Sequence, residues 1–164
     1  MSTNTSMLSA DYQALAEFRY QIRRFVRFSE QVARTAGIEP QQHQLLLAVK
    51  GLPPDKKATI GELAERLQLQ HHSTVELVDR LSEGGFVERQ RDEEDLRRVL
   101  VCLTLRGEEL LQGISSFTLA ELRVAGPLLV QALTKLIEDA DINNETLAGE
   151  LKQAPTEAKQ APLS

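Results

Sequence analysis

The chain has no tryptophan, a single cysteine and only 4% aromatic residues in its 164 positions. One cysteine excludes a framework of internal disulfides and suits a reducing compartment, so a cytoplasmic protein is expected. With aromatics this scarce, the core must be assembled from Leu, Val, Ile and Ala, for which 41% apolar residues suffice. No apolar run approaches the roughly 20 residues of a membrane-spanning helix, so no membrane partner is expected. The opening MSTNTSMLSADY has no basic segment followed by an apolar one and does not read as a secretory signal. A Gly-rich phosphate loop, a nucleophile elbow and a spaced metal motif are also missing, which leaves no basis for an enzyme or a cofactor. Nor is there a positive excess of charge: the formal net charge is -5.

The distribution of that charge says more than its sum. Residues 1–50 hold six basic and four acidic side chains, residues 51–106 nine and eleven, and residues 107–164 four and nine. The acidic excess therefore sits mostly in the last third, while arginines cluster at 19–27 and 89–98. A nucleic-acid binder needs a local basic footprint rather than a basic total.

What is present is a series of helical patterns around one different stretch. Leu8, Tyr12, Leu15, Phe18, Ile22, Phe25, Val26 and Val32 recur in steps of mostly three and four, the stripe of a long helix closed by Gly37 and Pro40. That stripe either caps the chain's own core or forms the seam of a dimer. PQQHQLLLAVK reads as a second helix over 40–50, with Pro40 in its first turn, before GLPPDKK breaks it. Thr59 and Glu62 form a capping box that opens a third helix. A fourth starts at His71, with Ser73 as a competing start, and Gly84 supplies its left-handed C-cap. Residues 86–91 and 98–103 are strand-like and flank DEEDLR, an acidic solvated tip. Thr104 caps a last helical region. Gly126-Pro127 interrupts it, and a final helix ends near Ala140.

Helix, turn, helix, hairpin in this order is the plan of a winged helix-turn-helix, most often a DNA reader. The expected fold is mainly α with a small β-hairpin wing. Residues 1–35 form an N-terminal dimerisation helix, 36–104 the winged lobe, 105–140 C-terminal dimerisation helices, and 141–164 a weakly structured polar tail. The leading face of the fourth helix would enter the major groove, offering His71, His72, Ser73, Thr74 and Glu76 to base edges or phosphates. A carboxylate at Glu76 is repelled by phosphates unless it accepts a hydrogen bond from a cytosine amino group. Arg97 is placed to read a narrow minor groove by its negative potential, with Asp95 orienting it, and Arg89, Arg91 and Arg98 serve phosphates. Asp79 and Arg80 are read as structural partners. His71 and His72 point about 100° apart on a helix and no carboxylate or Cys completes a set, so no metal site is expected. Cys102 reads as a small, inert core residue.

The run VDRLSEGGFVERQRDEEDLRRVLVCLTLRGEELL resembles the MarR family of transcriptional regulators. The features are Asp79-Arg80-Leu81 at the end of the recognition helix, Gly85 before the wing, Asp95 and Arg97 in it, and Leu103-Thr104 with Gly107 after it. The resemblance covers about Leu8 to Ala140. It implies a homodimer on double-stranded DNA with a near-palindromic operator, more often repressor than activator, released by a small, often aromatic, effector. From family layout it also implies an effector pocket around Phe25, His43 and Leu46. Two alternatives stand beside it: a winged helix that binds protein without reading DNA, and a metal- or redox-triggered regulator.

Overall fold

The computed structural model describes residues 9–153, and side chains for residues 9–138. The element order is α1 (Ser9–Thr35), α2 (Pro40–Lys50), α3 (Ile60–Leu67), α4 (His71–Glu83), β1 (Val87–Arg91), β2 (Val99–Leu103) and α5 (Leu105–Gln153). The chain divides into two units: residues 24–124, and residues 1–23 with 125–164.

Residues 24–124 are built around the aliphatic core that the composition demands. Leu45, Leu46, Leu63, Val78, Leu81, Val87, Val101 and Ile114 are all essentially buried, and Ala33, Leu77 and Leu111 join them. Helices α2, α3 and α4 pack on one another, while the antiparallel β1–β2 hairpin rests on α2, α3 and α4. The hairpin register pairs Val87 with Leu103 and Arg91 with Val99. Val87 of β1 and Val101 of β2 turn inward, while Glu88, Arg89, Gln90 and Arg91 are all exposed.

The helix ends explain the tight corners. At Gly37, with φ +87°, the Ile38 N–H reaches Ala33 O and the Gly37 N–H reaches Arg34 O, a Schellman closure of α1. Gln68 takes the left-handed conformation at φ 54° and closes α3, giving the short turn into α4. The same closure ends α4, but one residue later than the sequence suggests. Gly84 is right-handed at φ -72°, and Gly85, at φ +73°, is the left-handed residue, with the Phe86 N–H on Leu81 O. Gly84 is confined for another reason: a Cβ there would lie 2.9 Å from the Phe86 ring.

Other expectations change as well. The capping box of α3 is half made. Thr59 Oγ1 accepts the Glu62 N–H at 3.2 Å, but the Glu62 carboxylate turns to Arg66 at 2.8 Å and Lys56 at 3.2 Å. Cations within reach hold a carboxylate more strongly than one neutral amide. Pro127 does not divide the last region: α5 is one helix of 49 residues with Pro127 inside it. A proline removes one rung of the ladder, a cost of about 3 kcal/mol, yet its fixed φ is helical, and the Leu- and Ala-rich turns on both sides keep the helix continuous. The tail also changes. The helix continues past Ala140 to Gln153, where ETLAGELKQ is rich in good helix formers; residues 154–164 lie outside the described residues. By length and composition alone, Leu105–Glu138 would suffice to cross a membrane. Counting uninterrupted apolar runs misses this, because Glu121 and Arg123 break the run without making the window polar.

In the second unit, Ala14, Gln21 and Ala132 are buried, while Tyr12, Leu15, Tyr20, Ile22, Leu128, Val130, Leu133 and Ile137 stay exposed. Of the α1 stripe, Tyr12, Leu15, Ile22 and Val26 are exposed, whereas Val32 packs against the core.

Candidate nucleic-acid interface

The exposed face of α4 is set by what its other face must bury. Thr74, Leu77, Val78 and Leu81 are sunk in the core, which turns His71, His72, Glu76, Asp79 and Arg80 outward. Ser73 is half-buried. Thr74 does not belong to the outward set. It is 0% exposed, and its hydroxyl donates to Gln70 O at 3.1 Å. Its place one turn before Val78 puts it on the core side, so it cannot reach a base. Helix α4 starts at His71, behind Gln70 as N-cap, and Ser73 is not its cap.

The outward residues carry mixed charge. Glu76 and Arg80 approach to 3.8 Å, both about two-thirds exposed. Asp79 accepts from Arg89 Nη2 at 2.6 Å. The expected structural role of Asp79 is thus visible: it ties the recognition helix to the first strand of the wing. The same bond occupies Nη2 of Arg89, whose side chain remains exposed on β1.

The wing sorts its arginines in the same way. Arg98 Nε lies 3.3 Å from Asp95 Oδ2, so Arg98 is also partnered. Asp95 Oδ1 accepts the backbone N–H of Arg97 at 3.1 Å. Asp95 therefore orients Arg97 through the main chain and not by pairing with its guanidinium. Among the described residues no acceptor contacts the guanidinium of Arg97 or of Arg91, and both side chains are exposed. Of the described wing arginines, these two are the ones available to a polyanion.

The acidic tip is not uniformly solvated. Asp92 is 2% exposed, and both its oxygens accept from Lys57 Nζ, at 2.8 and 2.9 Å. Lys57 also bonds Glu94. The hydrogen bonds from Lys57 hold the Asp92 carboxyl below the usual range, and donating to Asp92 and Glu94 raises the Lys57 ammonium. Nothing in the sequence signals this pair. Lys57 lies in a polar linker thirty-five positions away and looks like any loop lysine.

The base of the wing is fastened to α5. Thr104 Oγ1 donates to Gly85 O at 2.7 Å and accepts the Gly107 N–H at 3.1 Å, while the Thr104 N–H reaches Phe86 O at 3.1 Å. Arg106 bonds Gly84 O at 3.0 Å and lies 4.7 Å over the Phe86 ring. One threonine thus caps α5 and locks the turn that leaves the recognition helix.

The residues expected to line an effector pocket, Phe25, His43 and Leu46, do not meet in any described cavity. His43 and Leu46 are core residues at 2% and 0% exposure, and Phe25 is half-buried without joining them. The inward face of α2 is simply the middle of the core. An open apolar cavity of about 430 Å³ lies instead between α1 and α5, lined by Phe28, Val32, Leu110, Ile114 and Phe117, among others. Gln31, Thr35 and Glu109 are its polar rim.

Among the described residues no three of His, Cys, Asp and Glu gather as a metal site. Cys102 is half-buried, and burial, with Glu88 nearby, pushes its thiol up, which keeps it protonated.

The MarR family profile matches residues 36–98, the span from the end of α1 to the wing. A Bacillus subtilis protein, the HTH-type transcriptional regulator YkoM, is 30% identical over 116 residues, 69% of this chain and 72% of its own length. The chain belongs to the MarR family. It thereby joins transcription regulators that carry a DNA-binding winged helix-turn-helix. A second B. subtilis regulator, YcgE, is 34% identical over 101 residues, 62% of this chain. That match spans 64% of YcgE, a little under two thirds of its length. A Staphylococcus aureus MepR variant, solved bound to an oligodeoxyribonucleotide, superposes with a TM-score of 0.55 over 85% of this chain and 97% of its own, at 22% identity. That likeness supports the fold.

Proposed function

We propose that the protein is a cytoplasmic, homodimeric repressor that reads a near-palindromic double-stranded DNA operator and leaves it when a small molecule binds. The observation that carries the DNA reading is the pairing of two features on one lobe. The outward face of α4 is free of core duties, and the hairpin next to it presents Arg91 and Arg97 unpartnered by any described residue. His71, His72 and Glu76 would face base edges, with Ser73 near the backbone. Arg97 would enter the minor groove, and Arg91 would meet phosphates. Glu76 favours sites with a cytosine opposite it.

Dimerisation is supported by the exposed apolar residues of α1 and α5, from Tyr12 and Ile22 to Val130 and Ile137, which a second copy would cover. The α1–α5 cavity is the better candidate for an effector than the Phe25, His43, Leu46 region. Its only ionisable lining group is Glu109, which favours neutral or cationic apolar molecules over aromatic carboxylates. An effector shifts the DNA equilibrium only by its differential affinity for the two dimer geometries.

The deciding experiment is selection of bound fragments from a random DNA pool at physiological salt. An inverted repeat with half-sites about one helical turn apart is the expected result. Binding at low salt without enrichment would leave a purely electrostatic contact and overturn the reading.

A further inference from the structure

The wing carries four carboxylates, Asp92, Glu93, Glu94 and Asp95, within five residues of the arginine proposed to enter DNA. Unneutralised, they would oppose that approach. The Lys57 contacts bear directly on this. Lys57 projects from the α2–α3 linker and binds both oxygens of the buried Asp92, and Glu94 as well. Its neighbour Ala58 accepts the Val101 N–H at 2.9 Å, so the linker is stitched to β2 by main chain too. From Asp92 a continuous series of bonds runs to Arg97. The Asp92 N–H reaches Arg98 O at 3.0 Å and the Arg98 N–H reaches Asp95 O at 2.8 Å. Asp92 Oδ1 accepts the Glu94 N–H at 3.0 Å, and Asp95 Oδ1 accepts the Arg97 N–H at 3.1 Å.

We propose that Lys57 and Asp92 form a clamp that positions the wing for DNA: the lysine fixes the hairpin tip against the α2–α3 linker, offsets one of its negative charges, and thereby holds Arg97 at its reading angle. This rests on the reading of the wing as a DNA contact. Neither residue touches DNA; both act through Arg97.

Charge and position make opposite predictions for Asp92→Asn. The substitution removes a negative charge from the wing. If only net charge mattered, affinity would rise and its salt dependence would steepen. If the clamp positions Arg97, affinity falls by roughly tenfold and the salt slope drops by about 1, as for Arg97→Ala. The measurement is DNA binding by the full chain at several salt concentrations, with fold checked by circular dichroism. The probe is the operator selected above, or a mixed-sequence duplex at low salt.

The decisive form is a cycle of four proteins: wild type, Asp92→Asn, Arg97→Ala and both. A clamp acting through Arg97 makes the double variant no weaker than Arg97→Ala alone. Lys57→Arg, which keeps a cation on the same carboxylate, should bind within about twofold of wild type, since a charge-assisted pair is retained. If Asp92→Asn does not fold, Lys57→Gln takes its place in the cycle. Additive losses, or a gain of affinity in Asp92→Asn, would overturn the clamp. An Arg97→Ala protein that binds like wild type would instead remove the wing contact itself, so the two failures are separable.

Discussion

Replacing Gly107 with alanine should destabilise the protein, although the residue stands in the first turn of a helix. On propensity alone Gly→Ala in a helix gains up to about 1 kcal/mol. The surroundings reverse the sign. A Cβ at Gly107 would lie 2.0 Å from Phe86 O and 3.0 Å from Phe86 C. Contacts under 3.0 Å do not occur in practice, so strand or helix must retreat by about 1 Å, and the obstacle is backbone rather than a side chain that can swing aside. The same carbonyl accepts the Thr104 N–H, and the Thr104 hydroxyl caps the Gly107 N–H, so retreat strains the bonds that fasten the wing to α5. Overpacking costs about 1–3 kcal/mol and a weakened buried bond about 1 more. After the propensity gain, a net loss of about 2 kcal/mol remains, a fall in Tm of roughly 4–8 °C for a chain of this size. Thermal or denaturant unfolding at fixed protein concentration measures it, with concentration held because a dimer's stability depends on it. Gly113→Ala is the internal control: it lies on the same helix, its Cβ meets nothing within 4 Å, and it should gain about 0.5–1 kcal/mol. An unchanged or raised Tm in Gly107→Ala would refute the reasoning.

Three further outcomes follow from the geometry. Thr74→Val should lose roughly 1 kcal/mol of stability with its bond to Gln70 O, yet keep the selected DNA sequence unchanged; an altered base preference would return Thr74 to the interface. His43 is buried with its Nδ1 unpartnered, and burial lowers its pKa from the ordinary 6.5. The folded state thus favours the neutral ring, so its contribution is fully present above about pH 6.5 and declines as pH falls below it. Tm measured from pH 7.5 down to 5.5 should fall more in wild type than in His43→Leu, and parallel curves would contradict this. Gly113→Leu should project into the α1–α5 cavity and abolish release by an effector while leaving operator binding intact, readable as retained DNA binding at saturating effector.

Much of the fold was legible because its signals are local. The 3.6-residue stripes, Thr59, the paired Gly84-Gly85 and the two short apolar runs mark element boundaries through the backbone itself, and α4 starts at His71 as its spacing suggests. The wing was also legible: Asp95 and Arg97 stand close in sequence, and their relation is a turn hydrogen bond. Signals failed where one residue's preference competed with those of its neighbours. Pro127 reads as a stop, and only the helix-forming residues around it decide that α5 continues.

The candidate site shows the same division. Sequence determined that a recognition helix and an arginine-bearing hairpin exist, because hydrophobic period and turn chemistry are properties of short stretches. Tertiary structure decided which of their side chains are free to act. Thr74 is withdrawn into the core, Arg89 is engaged by Asp79, and Asp92 is buried against Lys57, a partner from another loop. His43 and Leu46 went to the core rather than to a pocket, and the cavity opened between α1 and α5. Each of these outcomes depends on what lies across space from a residue. A one-dimensional pattern gives the direction a side chain takes from its own element, but not what it meets there.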